Sequence, residues 1–137
     1  MNQVLYVSRK GNTKKVADAI AQALGVKAEE IGPQTTAAHA ELLFVGGALY
    51  AGKIDSTLRE FCEKLTPGQV DKVIVFSTAM SGKTAGPEIK SILKPKNISV
   101  ADEAFHSKGA FLCFNRNRPG EKDLKKAGEF AKKIAGI

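Results

Sequence analysis

Apolar residues along this chain alternate between two periods, and the alternation lays out the elements in order. Residues 4–7 form a short, wholly apolar run. A small polar segment follows, and then Val16, Ile20, Ala23 and Leu24 make a helical stripe that stops at Gly25. Residues 26–31 carry Lys27, Glu29 and Glu30, which suits a sheet edge better than a sheet centre. Gly32-Pro33 turns the chain, and residues 42–45 form a second fully apolar run that Gly46-Gly47 is expected to break. Asp55 or Ser56 can cap the next helix, whose stripe is Leu58, Phe61, Cys62 and Leu65 and whose end is Pro67-Gly68. Residues 73–76 are the third apolar run. They lead through a small polar loop into a short helix with Ile89, Ile92 and Leu93, closed by Pro95. Residues 97–114 read as extended chain, one strand or two, with Ile98, Val100 and the apolar stretch 110–114. Arg118-Pro119-Gly120 turns into a last helix with Leu124, Ala127, Phe130, Ala131 and Ile134 on one side.

Wholly apolar strands separated by amphipathic helices call for a parallel sheet covered on both faces. With right-handed crossovers and the charged second strand at an edge, the expected architecture is an α/β three-layer sandwich. Its sheet is five-stranded, parallel and ordered 2-1-3-4-5. Such a sheet binds ligands beyond the carboxyl ends of its strands, where the strand order reverses. Three loops leave the central strands on that side: residues 8–13, 46–54 and 77–83. All three are rich in small residues, and the second contains Tyr50, a ring on which a flat ligand can stack. The first places Ser8, Gly11, Asn12 and Thr13 just before a helix, so backbone N–H groups, hydroxyls and an amide converge on the positive end of that helix. That is an anion site, and a phosphate is the expected occupant.

Length and composition narrow the picture. One core fits in 137 residues that are 43% hydrophobic, and a single domain spanning residues 1–137 is expected. No apolar run approaches the ~18 residues of a membrane helix. Residues 1–7 are too short for a signal peptide and too soon followed by Arg9 and Lys10, so the cytoplasm is the expected location. Cys62 and Cys113 lie far apart without a CxxC spacing, which argues against a disulfide framework or a zinc site; His39 and His106 have no partners at ligand spacing. Ser81-Gly82-Lys83-Thr84 imitates the tail of a nucleotide P-loop, but Ser77 stands where the first glycine belongs. No Ser-His-Asp set or carboxylate pair can be placed. The net charge of +7 suits steering of acidic partners, while no nucleic-acid module accompanies it.

The segment Ser8-Arg9-Lys10-Gly11-Asn12-Thr13 resembles the phosphate loop of the flavodoxin family, which reads roughly Ser/Thr-x-Thr-Gly-Asn-Thr after the first strand. The stretch from Gly46 through Ala48, Leu49, Tyr50, Ala51 and Gly52 resembles the family's second loop, whose aromatic residue lies against the flavin. The small polar loop of Ser77, Thr78, Ala79, Met80, Ser81 and Gly82 resembles its third. The resemblance implies a flavodoxin-like fold, bound FMN and one- or two-electron transfer to redox partner proteins; the +7 charge adds the expectation of acidic docking surfaces on them, and neither nucleic acid nor membrane is expected as a partner. It implies that Ser8, Lys10, Gly11, Asn12 and Thr13 hold the phosphate, with Arg9 among them in the loop. Tyr50 would stack on the isoalloxazine, and Leu49 or Met80 would meet the second face. Backbone at Ala48, Leu49, Ala51 and Gly52, and at Ser77, Thr78, Ala79, Met80 and Gly82, would line the ring edges. Lys10 stands where the family carries a hydroxyl, and the chain has no Trp and is basic where many flavodoxins are acidic. Two other readings stay open on the same fold: an FMN-dependent quinone, NAD(P)H or porphyrinogen oxidoreductase, and a flavin-free interaction module.

Overall fold

The computed structural model describes residues 1–50, 52–79, 84–108 and 119–137. Among the described residues the strands and α-helices follow in the order β1 (Asn2–Tyr6), α1 (Asn12–Leu24), β2 (Ala28–Glu30), β3 (Ala40–Tyr50), β4 (Lys53–Ile54), α2 (Ser56–Lys64), β5 (Val70–Ala79), α3 (Gly86–Leu93), β6 (Phe105–Lys108) and α4 (Glu121–Ala135). The sheet runs β2-β1-β3-β5-β6 with every neighbouring pair parallel, and β4 folds back antiparallel on β3. Leaving out the short β4, this is the expected 2-1-3-4-5 order.

Period-two alternation in the central strands sorts the core into two layers. Val4, Tyr6, Phe44, Ile74 and Phe76 face α1 and α4, with Val16, Ile20, Ala127 and Ala131 opposite them. Leu5, Leu43, Val45, Val73 and Val75 face α2 and α3, packing with Leu58, Phe61, Ile89 and Leu93. The two faces together make each central strand apolar throughout, which is why these runs stood out in the sequence. Cys62 lies in the second layer, where burial pushes its thiol up to about 12, so it is a core residue without nucleophilic use.

Three local expectations are corrected. Gly46 and Gly47 do not break the strand: β3 runs on through them to Tyr50. Their lack of a side chain serves packing, since a Cβ on Gly46 would lie 2.2 Å from the Phe76 ring and one on Gly47 would lie 2.7 Å from a Leu58 methyl. In the same way β5 continues through Ser77, Thr78 and Ala79, which are buried strand residues and not loop. The second loop is therefore a tight hairpin, with Tyr50 paired to Lys53 and Leu49 to Ile54. Of the extended segment, residue 100 forms an isolated bridge to Val73 and β6 begins at Phe105. The strand expected over 110–114, with Cys113, lies outside the described residues.

Candidate functional site

The site is built where β1, β3 and β5 end side by side, Tyr6 beside Gly46 and Ala48 beside Thr78. After β1 the chain must reverse into α1 within a few residues. Gly11 takes φ +86°, a left-handed conformation that suits glycine, and its N–H donates to the Ser8 Oγ at 3.0 Å. This closes the first loop and leaves α1 with no side chain capping its N-terminus and no acidic residue in its first turn. The other three helices are treated differently. Asp55 caps α2, while Glu88 stands in the first turn of α3 and Glu121 and Asp123 in that of α4. The first N–H groups of any helix lack intrahelical acceptors. The first turn of α1 carries no carboxylate, and Lys10 and Lys15 are exposed beside it. These residues fit a phosphate group.

Specific polar contacts tie the elements at this edge together. The Thr13 and Thr78 hydroxyls lie 2.8 Å apart, both buried, joining the start of α1 to the end of β5. Arg9 reaches from the first loop to the second, its Nε donating to Asp55 Oδ2 at 2.8 Å and its Nη2 lying 2.7 Å from the same oxygen. The Arg9 guanidinium also sits 3.9 Å over the centre of the Tyr50 ring. Asp55 Oδ1 accepts from the Thr57 N–H at 2.8 Å, so one carboxylate both caps α2 and holds Arg9. Burial disfavours its ionised form, but the Thr57 N–H and the Arg9 guanidinium outweigh that and keep its pKa below the usual carboxylate value. Glu88 of α3 accepts from the Ile54 N–H at 3.0 Å and from Arg59 at 2.9 Å, fixing the hairpin against α2 and α3. Its pKa is lowered too, burial being outweighed by Ile54 and Arg59. Burial raises the Tyr50 phenol above its ordinary value against the pull of Arg9, so it is a neutral ring at pH 7.

Of the residues expected at the site, Ser8, Gly11 and Asn12 are partly exposed at the mouth of α1, and Lys10 is exposed beside them. Ala48, Leu49 and Tyr50 are half-buried along the end of β3, and Gly52 is exposed at the hairpin tip with φ +80°. Thr13 is buried, so its hydroxyl serves Thr78 while its N–H belongs to the first helical turn. Ser77 is fully buried, its Oγ accepting from the Ala85 N–H at 3.2 Å, which ties β5 to the start of α3. Thr78 and Ala79 are buried at the end of β5. Ala51, Met80 and Gly82 lie outside the described residues. Asp55 and Glu88 are the residues the sequence did not mark as part of this site; a carboxylate capping the helix that follows a cationic loop was the available signal for the first. Among the described residues no group of His, Cys, Asp or Glu is arranged to hold a metal, and no helix is long and apolar enough to cross a membrane.

Thr13→Val tests the link between α1 and β5. The substitution keeps the shape and removes one buried hydroxyl, leaving Thr78 without that partner. A loss of about 1–3 kcal/mol is expected in urea unfolding, and no change would mean that the pair contributes nothing.

The fold and this edge of the sheet define a class. The sequence profile of the flavodoxin domain matches residues 3–118, and the chain belongs to the flavodoxin domain family. A relative of similar length, an uncharacterized protein of Methanocaldococcus jannaschii, is 31% identical over 96% of this chain and 95% of its own. Among solved structures, a flavodoxin from the domain Archaea matches with a TM-score of 0.73 at 20% identity, covering 98% of this chain and 96% of that one. Oxidised flavodoxin 2 from Bacillus cereus matches with the same TM-score and identity over 98% and 97%. The rubredoxin oxygen:oxidoreductase of Desulfovibrio gigas matches with a TM-score of 0.69 at 16% identity; all but a little of this chain (98%) corresponds to 35% of that one.

Proposed function

We propose that this chain binds FMN at the carboxyl edge of its sheet and serves as an electron-transfer protein. The observation that carries the reading is the N-terminus of α1: a left-handed Gly11, a loop closed on Ser8, no capping side chain and no carboxylate in the first turn. A phosphate monoester complements that arrangement, with the Asn12 and Thr13 N–H groups and the Ser8 and Lys10 side chains as the groups to hold it. Tyr50, half-buried at the end of β3, supplies a wall for a flat ring, and membership of the flavodoxin domain family supports the choice of FMN among phosphorylated ring ligands. When bound, FMN supplies one- or two-electron redox chemistry. The protein's part is to hold the phosphate, seat the ring and surround it with a basic field.

The test is reconstitution. The purified protein with added FMN is expected to show a shifted flavin spectrum and quenched fluorescence at one flavin per chain. Its flavin should be reduced by dithionite, reoxidised by an external protein acceptor, and left oxidised by NAD(P)H alone. Failure to alter the flavin spectrum would refute FMN binding, and rapid reduction by NAD(P)H would favour an oxidoreductase.

A further inference from the structure

Arg9 sits in a loop built to receive a phosphate, yet its guanidinium points to the neighbouring loop, against Tyr50 and Asp55. A guanidinium is flat and delocalised, and over an aromatic face it gains both cation–π attraction and stacking. At 3.9 Å from the ring centre, Arg9 covers one side of Tyr50. Its hold on Asp55 is not a surface pairing of the usual weak kind, because the Asp55 side chain is only 8% exposed although that of Arg9 is 57% exposed. Turning Arg9 away, toward a phosphate at α1, would leave a nearly buried carboxylate without its cation, which is strongly unfavourable. Arg9 is therefore held at Asp55 and over one face of Tyr50.

We propose that Arg9 is a positioning residue: together with Asp55 it clamps one face of Tyr50, so that the flat ring of the ligand stacks on the opposite face. This rests on the FMN reading above and adds to it an orientation. The order is guanidinium, phenol, ligand ring, with Arg9 acting through Tyr50 and not through the phosphate. Lysine could keep the ion pair with Asp55 but has no flat group to lay on the ring.

The clamp is visible without any flavin. In the apo protein, NMR should show the Arg9 side-chain protons displaced upfield by the Tyr50 ring current, and Tyr50→Leu should abolish the displacement; Arg9 signals at ordinary positions would overturn the clamp directly. In titrations, Arg9→Met is expected to weaken FMN and riboflavin by the same factor, about three- to tenfold, and to restore part of the flavin fluorescence. Arg9→Lys should retain thermal stability without restoring the quenching. If Arg9→Met weakens FMN and leaves riboflavin unchanged, Arg9 serves the phosphate and the proposal is wrong. If it tightens either ligand, Arg9 lies on the face the ligand needs, and the proposal is equally wrong. A wild-type protein that shows the ring-current shift but binds neither flavin sinks the FMN reading, and the ligand role of the clamp with it.

Discussion

Gly46→Ala is expected to cost about 3 kcal/mol or more of unfolding free energy, at or beyond the upper end of ordinary overpacking. Gly46 pairs with Phe76 across β3 and β5, and the Phe76 ring lies over it. An added methyl would meet three ring atoms at 2.2, 2.3 and 2.6 Å, inside any tolerable contact. Phe76 has nowhere to go, being fully buried between the sheet and the α1–α4 layer. Urea unfolding should show a lower midpoint at an unchanged slope. Because the clash is with one side chain, Gly46→Ala combined with Phe76→Leu should cost at least about 1 kcal/mol less than the sum of the two single changes. A Gly46→Ala protein as stable as the parent would mean that the close approach of β3 to the Phe76 ring is wrong. With it would go the extended course of β3 that carries Tyr50 to the ligand edge.

Asp55→Ala is expected to cost about 2–4 kcal/mol at pH 7. It removes the cap of α2, worth about 1 kcal/mol, and an acceptor shared by two Arg9 donors, where hydrogen bonds to a charged group contribute roughly 1.5–3 kcal/mol. The exposure of Arg9, 57%, tempers the second contribution. The loss should depend on pH with a definite sign. The folded-state pKa of Asp55 is lowered below its unfolded value, so its stabilisation is complete above the ordinary carboxylate value of about 4 and fades as pH falls through the folded value. Glu88 is shifted in the same direction and adds to the acid sensitivity of the parent. The stability gap between parent and Asp55→Ala should therefore be widest near neutrality and narrow steadily below about pH 4, reaching what a protonated carboxyl still supplies. Parallel urea curves from pH 7 to pH 2.5 would show this, and a gap that does not narrow would mean that the Asp55 charge contributes nothing.

What could be read from the chain follows from what is local. The central strands announced themselves because they are buried on both faces, and the helices because their stripes keep one period for several turns. β2 was legible as an edge because Glu29 and Glu30 have no place in a sheet centre. Asp55 was legible as a cap because capping is settled within two residues of the helix. The misreadings were all non-local. Glycine ordinarily signals a break, and only Phe76, thirty residues on, makes it the residue a continuing strand needs. Ser77 and Thr78 look like loop residues until their hydroxyls meet Ala85 and Thr13. β4, with two residues, is too short to show any period. The ion pair of Arg9 with Asp55 spans 46 residues, and no local pattern foretells it.

The central claim is that the mouth of α1 holds a phosphate, and the comparison of FMN with riboflavin tests it most directly, since the two ligands differ by that group alone. Calorimetric titration of the apo protein at low salt is expected to give FMN a dissociation constant at least about a hundredfold below that of riboflavin, corresponding to about 2.7 kcal/mol, or one to two charge-assisted hydrogen bonds at a helix N-terminus. Equal affinities for the two ligands would contradict the account.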